Sequence, residues 1–228
     1  MQELDYFRDF EQTMSEFKAH CTGAEHPKVI IDTALRSIVQ FYSADRAYIT
    51  ENDWDLEVSH NSHEYCRSGV TPHIYDNQYI SLQGFDRWRK AHESGKSIII
   101  PSIEQFADMP QIYGILRENG VFAMLLSPLS KRISGNLGVD NPRRYSGRPH
   151  LLELMSYVVA NEIAELRIFE RPQVQTSDGT SLKPNEIIIN LLGSIELLGP
   201  RGMLTEEQIF SKNCCRLIGY MLLNRHPE

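Results

Sequence analysis

Three segments of the chain place apolar residues at every third or fourth position, the spacing that gives an α-helix one apolar face. The first predicted helix covers residues 3–20, and the third covers 151–169. The second runs from Pro27, a residue favoured in the first turn of a helix, to Tyr42. The apolar positions are Leu4, Phe7, Phe10, Met14 and Phe17, then Val29, Ile30, Ala34, Ile38 and Phe41, and finally Leu152, Met155, Val159, Ile163 and Leu166.

Between the second and third helices, the pattern changes to short apolar runs and alternating stretches that predict β-strands. Segment 69–83 has neither pattern and is predicted to be irregular. This element order predicts an α+β fold with a central antiparallel sheet and helices on both faces. The predicted strands are 45–51, 56–66, 97–101, 121–129 and 133–141, with short helices at 85–95 and 110–118.

A polar stretch rich in Pro, Ser, Thr, Gln and Asp follows the third helix and is predicted to be a linker. After it come the apolar runs IIINLLG and IELL, the turn residues GPRG, and an apolar segment at helical spacing from Cys214 to Leu223. Two or three short strands and one helix are predicted there, which is too little for an independent core. The predicted organisation is an N-terminal dimerisation helix at 1–25, a main domain at 26–170, a linker at 171–185, and a small β-hairpin and helix segment at 186–228.

Composition and charge narrow the class of protein. Apolar residues make up 41% and charged residues 23% of 228 residues, and no apolar run reaches the ~20 residues of a membrane span. Four irregularly placed cysteines do not form a secreted disulfide framework, so a cytoplasmic protein with no membrane contact is predicted. Basic and acidic residues balance in 183–228, so the net charge of −7 lies in 1–182. That part lacks the basic surface expected of a nucleic-acid reader.

Four motifs between residues 26 and 169 resemble successive parts of a GAF domain: SADRAYITENDW…SHNSHEYCRSGV, SIIIPSIEQF, ENGVFAMLLSPL and GNLGVDNPRRY. GAF domains are small-molecule sensor or regulatory modules, often homodimeric through their terminal helices. The resemblance places a ligand cavity between the sheet and segment 79–88. Its implied apolar walls are Tyr65, Tyr79, Phe85 and Trp88, its implied polar anchors are Glu64 and Asp140, and Cys66 is the seventh predicted ligand-binding residue. The ligand is not identified by the sequence, and residues spaced like Phe85 and Trp88 are more often ordinary core than the wall of a ligand pocket.

The segment 186–228 is similar to the start of the winged-helix DNA-binding domain of response-regulator-like transcriptional regulators. Only the small N-terminal sheet and the first helix of such a domain match. The recognition helix that would enter the major groove is absent, so DNA contact is expected only through a domain continuing beyond Glu228. The alternative is a hairpin and helix that cap the main domain.

The sequence gives less support to a metal site or a phosphate-binding loop. Alternation along strand 56–66 places His60, Ser62, Glu64 and Cys66 on one face, but an extended row rarely converges on one metal ion, so no metal site is predicted. Glu64 has an alternative role as partner of an arginine such as Arg67. Gly135 and Gly138 lack the context of a phosphate loop and are interpreted as close packing or a bulge in a central strand.

Cys66 is the only cysteine within the GAF-like motifs, and it has no nearby resolving thiol. Arg67 follows it where phytochrome-type GAF domains usually have a histidine, so bilin attachment is not predicted either. No catalytic residues are predicted, and the chain is not expected to be an enzyme.

The sequence thus favours the sensor of a bacterial-type transcriptional regulator, in which a small molecule changes the packing of the terminal helices of a homodimer. The alternatives are a structural GAF dimerisation module and, with less support, a thiol-dependent enzyme such as a methionine sulfoxide reductase.

Overall fold

The helices of the main domain begin and end at residues suited to helix termini. A computed structural model describes residues 2–130, 133–169, 188–190, 196–199 and 202–205. The helices are α1 Gln2–Cys21, α2 Pro27–Tyr42, α3 Asp86–Ser94, α4 Pro110–Glu118 and α5 His150–Phe169, with a short 3₁₀ helix at Ile103–Phe106. Before α2, the His26 side chain accepts a hydrogen bond from the Lys28 N–H, and after it Ser43 takes a left-handed conformation at φ 46°. These helices confirm the sequence prediction.

Six strands form one antiparallel sheet in the order β3-β2-β1-β6-β5-β4. The sequence predicted every strand except β3, which lies in the segment expected to be irregular. The strands are β1 Arg46–Asp53, β2 Val58–Cys66, β3 Ile80–Ser81, β4 Ile98–Ile100, β5 Met124–Pro128 and β6 Gly135–Asp140.

Helices cover both faces of this sheet, which confirms the predicted α+β architecture. On one face, α1, α2 and α5 bury a cluster that includes the sheet residues Ile49, Leu125 and Val139. On the other face, a second cluster contains Phe85 and Trp88 next to and within α3, Ile112 and Leu116 of α4, and the sheet residues Met124 and Leu126. Since a strand points alternate side chains to opposite faces, one strand contributes to both clusters.

A β-bulge in β2 changes which of its residues share a face. Ile49 pairs with His63 but Thr50 pairs with Asn61, so Ser62 is an extra residue without a partner on β1. The prediction that His60 and Ser62 share a face with Glu64 and Cys66 is therefore wrong. The residues before the bulge that share the face of Glu64 and Cys66 are Ser59 and Asn61.

Two glycines of β6 permit close contact with β1. A Cβ atom at Gly135 would lie 2.0 Å from the backbone oxygen of Thr50, and one at Gly138 would lie 2.4 Å from the Tyr48 ring. This confirms the close-packing interpretation of both glycines. It also means that the Tyr48 ring lies across β6 on the α3–α4 side of the sheet.

The chain divides into two units, residues 1–166 and 167–228. In the second unit, β7 Ile188–Asn190, β8 Glu196–Gly199 and β9 Gly202–Thr205 form a three-stranded antiparallel sheet in that order. The strands predicted after the linker are thereby confirmed, whereas the linker and the helix predicted from Cys214 lie outside the described residues. No helix in the described part of the chain combines the length and apolar character needed to cross a bilayer.

Candidate functional site

A cavity of about 90 Å³ lies between the sheet and helices α3 and α4. Its mouth is marked by partly exposed residues from the loop before β3 and the end of α4, namely Asn77, Ile80, Ile115 and Asn119. One wall is apolar and the other, formed by the central strands, is polar. The remaining apolar lining residues are Leu82, Phe85, Trp88, Leu116, Val121, Met124 and Leu126, and the polar ones are Arg46, Tyr48, Thr50, Asn52, Ser59, Asn61, Asn136 and Asp140.

The structure brings some of the seven predicted site residues together and separates others. Phe85, Trp88 and Asp140 line the cavity, and the two aromatic rings are also part of the buried cluster on that face. Tyr65 points to the opposite face, where it packs against the helical core and the Arg36 guanidinium lies over its ring. Tyr79 is 89% exposed on the surface and does not line the cavity.

Glu64 and Cys66 lie on the cavity side of the sheet without lining the cavity. Glu64 Oε2 accepts hydrogen bonds from the backbone N–H groups of His73 and Ile74, each at 2.9 Å. Its ionic partner is Arg46 rather than the predicted Arg67, which instead pairs with Asp45 at 2.6 Å. Glu64 therefore holds the loop between β2 and β3, which also carries Asn77 to the mouth of the cavity.

Three buried ionisable side chains form the charged end of the site. Arg46 lies opposite Asp140 in the β1–β6 pair, and its Nε is 3.3 Å from Asp140 Oδ2. Arg46 Nη1 lies 3.8 Å from Glu64 Oε1, and Nη2 donates to the Asn119 carbonyl oxygen at 2.7 Å. All three side chains are between 2% and 6% exposed. One guanidinium is thus shared by two carboxylates away from water.

Burial raises the pKa of Asp140 to about 7, against the lowering effects of Arg46 and Tyr48. The nearby carboxylates of Glu64 and Asp45 raise it further. Asp140 Oδ1, Glu64 Oε1 and Arg46 Nε are buried and lack hydrogen-bond partners among the described residues. A buried polar atom without a partner costs roughly 1–3 kcal/mol of stability, and these three atoms lie together beside the cavity.

The stability of the first unit should therefore decrease as the pH rises from about 4 to about 7 and level off above that. The folded protein keeps a proton on Asp140 up to about pH 7, while the unfolded chain releases it near its ordinary pKa of 3.8. Between these values the folded state binds more protons, so raising the pH favours unfolding by up to about 1.4 kcal/mol per pH unit.

Urea unfolding of the chain followed by tryptophan fluorescence would measure this slope, because both tryptophans, Trp54 and Trp88, lie in the first unit. Asp140→Asn should flatten the slope and be more stable than the wild type above pH ~7. An equal slope in both proteins would contradict the assignment to Asp140.

Cys66 is poorly suited to nucleophilic chemistry. Burial and the neighbouring Glu64 raise the pKa of its thiol to about 11, so it is protonated at neutral pH. Among the residues that the structure describes, no group of three His, Cys, Asp or Glu side chains has the arrangement of a metal site.

Sequence reasoning missed the polar wall of the cavity, above all Arg46 and the carboxamides Asn61 and Asn136. A signal for β1 was present in its sequence RAYITEND. Arg46, Tyr48, Thr50 and Asn52 alternate with Ala47 and Ile49, although both faces of a central strand were expected to be covered. A polar face under a helical layer indicates a polar cavity. Asn61 could not be found in this way because the bulge at Ser62 moves it to that face.

Comparison with known proteins identifies the fold. The GAF domain family model matches residues 26–165. Among solved structures, the far-red absorbing dark state of JSC1_58120g3 with bound biliverdin has 10% sequence identity and a TM-score of 0.56, covering 69% of this chain and 98% of that one. The photoproduct state of GAF3 from Slr1393 of Synechocystis sp. PCC6803 has 17% identity and a TM-score of 0.52, with coverages of 63% and 96%.

A third similar structure is the chromophore-binding domain of the bacteriophytochrome RpBphP3 from R. palustris. It has 15% identity and a TM-score of 0.56, covering 75% of this chain and 65% of that one. At these identities the likeness establishes the fold alone. No curated protein matches the chain.

Proposed function

Because the chain belongs to the GAF domain family, we propose that it is the cytoplasmic sensor of a bacterial-type transcriptional regulator. A small molecule binds in the cavity between the sheet and helices α3 and α4. Binding changes the packing of α1 and α5 in a homodimer, and this change is passed to a C-terminal DNA-binding domain. The chain acts through binding rather than catalysis.

The observation that carries this proposal is the set of buried polar atoms without partners beside the cavity. Asp140 Oδ1, Glu64 Oε1 and Arg46 Nε all lie in a region that is more than nine-tenths buried. An apolar core of the same volume is often at least as stable as such a buried ionic group. A bound molecule that supplies the missing hydrogen bonds accounts for the presence of the charged groups, whereas a purely structural dimerisation module has no need of them.

A linear tetrapyrrole such as the biliverdin bound to JSC1_58120g3 is not the ligand that we propose. The cavity of about 90 Å³ is well below the ~300 Å³ of a pocket for a drug-sized ligand. Cys66 is followed by Arg67, lies outside the cavity lining and is a protonated thiol at neutral pH. A compact ligand fits these features better.

A chain of contacts links the cavity to the N-terminal helix. Asp140 is the last residue of β6, and the segment after it carries Arg144 and Tyr145 to α1. Both of these side chains donate hydrogen bonds to Asp9 Oδ2 of α1. A ligand that shifts the end of β6 would therefore also shift α1, provided that it binds one arrangement more tightly than the other.

The three-stranded sheet β7-β8-β9 supports the proposed C-terminal output domain, since a small antiparallel sheet opens the winged-helix domains that segment 186–228 resembles. DNA would be bound by residues that follow this sheet rather than by the acidic sensor. The homodimer is supported by apolar side chains exposed on the terminal helices. Leu4 is 77%, Phe7 55% and Tyr157 65% exposed.

Blocking the cavity tests ligand binding. Ile115 is partly exposed at the mouth, and Ile115→Trp should fill the cavity and abolish retention of a small molecule from cell extract. Native mass spectrometry of the full chain, compared with its denatured mass, measures the retained ligand. Arg117→Trp is the matched control, because Arg117 is exposed on the same helix and does not line the cavity. Extra mass that survives in the Ile115→Trp protein would contradict the proposed site.

Dimerisation is tested at α1. Leu4→Lys combined with Phe7→Lys should convert the dimer to a monomer without lowering helicity, because both side chains are exposed and contribute little to the core. Sedimentation velocity with circular dichroism measures both properties. Val29→Lys, on the exposed side of α2, is the control and should remain dimeric. A wild-type chain that sediments as a monomer at tens of micromolar would overturn this part of the proposal.

A further inference from the structure

The buried charges beside the cavity do not balance. Arg46 contributes one positive charge, whereas Asp140 and Glu64 contribute two carboxylates within 3.3 Å and 3.8 Å of it. The nearby Asp45 is bound separately by Arg67 and Arg143, whose side chains are about half exposed and lie outside the buried group. When all three buried groups are ionised, the site therefore has one excess negative charge, and burial makes that charge expensive.

The unsatisfied atoms also favour a ligand that donates hydrogen bonds. Asp140 Oδ1 and Glu64 Oε1 are open acceptors, while the open donor Arg46 Nε already faces Asp140 Oδ2 at 3.3 Å. The other end of the guanidinium is held by the Asn119 carbonyl oxygen. New N–H groups in the cavity would relieve Asp140, which lines it, whereas a new acceptor would have to compete with both carboxylates for Arg46.

Anionic ligands are disfavoured for the same reason. The described residues that line the cavity include one arginine and neither lysine nor histidine. That arginine is already shared by two carboxylates and a backbone carbonyl. A carboxylate or phosphate would be repelled by Asp140 and Glu64 without gaining a free cation.

We infer, building on the proposed function, that the cavity binds a small organic cation whose nitrogen carries at least two N–H donors on a compact apolar body, such as an amidine, guanidine or primary amine. Asp140 receives the N–H groups and the positive charge. The body lies against the apolar wall that includes Phe85, Trp88 and Leu126.

Binding of such a cation displaces a proton. In the empty site, Asp140 relieves the excess charge by protonation, and its pKa of about 7 reflects burial and the neighbouring Glu64. The groups that face Asp140 are Arg46, Tyr48 and Asp45 of the β1 side and Glu64 and Cys66 of β2. Helices α3 and α4 contribute only uncharged side chains to the cavity lining. The apparent affinity for a cation should therefore rise about tenfold between about pH 6 and about pH 8.

Three compounds of nearly equal shape separate charge from size: benzamidine as the cation, benzamide as the neutral form and benzoate as the anion. Isothermal titration of the full chain should show benzamidine binding at least about tenfold more tightly than benzamide, and no binding of benzoate. Benzamidine should release close to half a proton per site near pH 7, measured in buffers of different ionisation enthalpy.

Two variants identify the carboxylates that give the cavity its preference for a cation. Asp140→Asn should abolish both the preference for the cation and its pH dependence, and Glu64→Gln should weaken the preference while its amide oxygen still accepts from His73 and Ile74. Circular dichroism and thermal unfolding confirm that each variant is folded. If one of the variants fails to fold, the other still tests whether a buried carboxylate selects the cation.

The inference is overturned if benzamide or benzoate binds as tightly as benzamidine, if none of the three binds, or if neither variant changes the preference. The Ile115→Trp protein separates this failure from failure of the proposed function. A neutral or anionic compound that binds the wild type and not Ile115→Trp leaves the cavity as the ligand site and rejects only the cation. Benzamidine binding that Ile115→Trp does not affect rejects both.

Discussion

Gly135→Ala is expected to lower the free energy of unfolding of the first unit by at least about 3 kcal/mol, or to prevent folding altogether. The added Cβ would lie 2.0 Å from the Thr50 backbone oxygen, 3.1 Å from its carbonyl carbon and 3.2 Å from the Glu51 Cα. Since these are all backbone atoms, no change of rotamer can relieve the clash. Strands β1 and β6 would have to separate at the pair Glu51–Gly135. The same strands carry Thr50 and Asn136 to the cavity, so ligand retention should be lost as well.

Gly114→Ala is the matched control for this substitution. Gly114 lies inside α4, and a Cβ atom there meets nothing within 4 Å. Alanine should therefore stabilise the helix by roughly 0.5–1 kcal/mol. Urea unfolding monitored by tryptophan fluorescence measures both variants. If Gly135→Ala unfolded at the same urea concentration as the wild type, the two strands could not be as closely packed as the structure has them.

The sequence predicted the helices and strands of the first unit well because each carried its own local information. Pro27 at the first turn and the apolar stripe that follows were sufficient to locate α2. β3 was missed because Ile80–Ser81 is too short to show alternation and forms only by pairing with β2. Helix α3 was predicted because apolar spacing and Gly95 mark it, with Gly95 ending the helix at φ 66°.

The site was predicted less completely because it depends on pairing between strands. Phe85, Trp88 and Asp140 were found from the resemblance to GAF domains. Arg46 was missed because its role depends on its position opposite Asp140 in the β1–β6 register, which the sequence does not state. Tyr79 was included because it precedes the aromatic segment, but its side chain faces solvent.

Arg46→Met should destabilise the first unit by about 3–5 kcal/mol at about pH 8, because it leaves two buried carboxylates without their shared cation. Methionine retains most of the apolar stem of arginine, so the loss reports mainly on charge. Removing Arg46 removes an effect that lowers the pKa of Asp140, and this carboxyl will then take up a proton more readily. The defect should accordingly shrink as the pH falls towards about 5.

Two comparisons separate this electrostatic role from packing. Arg67→Met also removes an arginine from an ion pair, but the Arg67 side chain is 51% exposed, so a change within about 1 kcal/mol is expected. Adding Asp140→Asn and Glu64→Gln to Arg46→Met should restore most of the lost stability, since no buried charge then lacks a partner. Urea unfolding of the four proteins at both pH values measures these differences. A loss in Arg46→Met that is independent of pH and unrelieved in the triple variant would mean that Arg46 acts by filling space. In that case the excess charge beside the cavity could not be what selects the ligand.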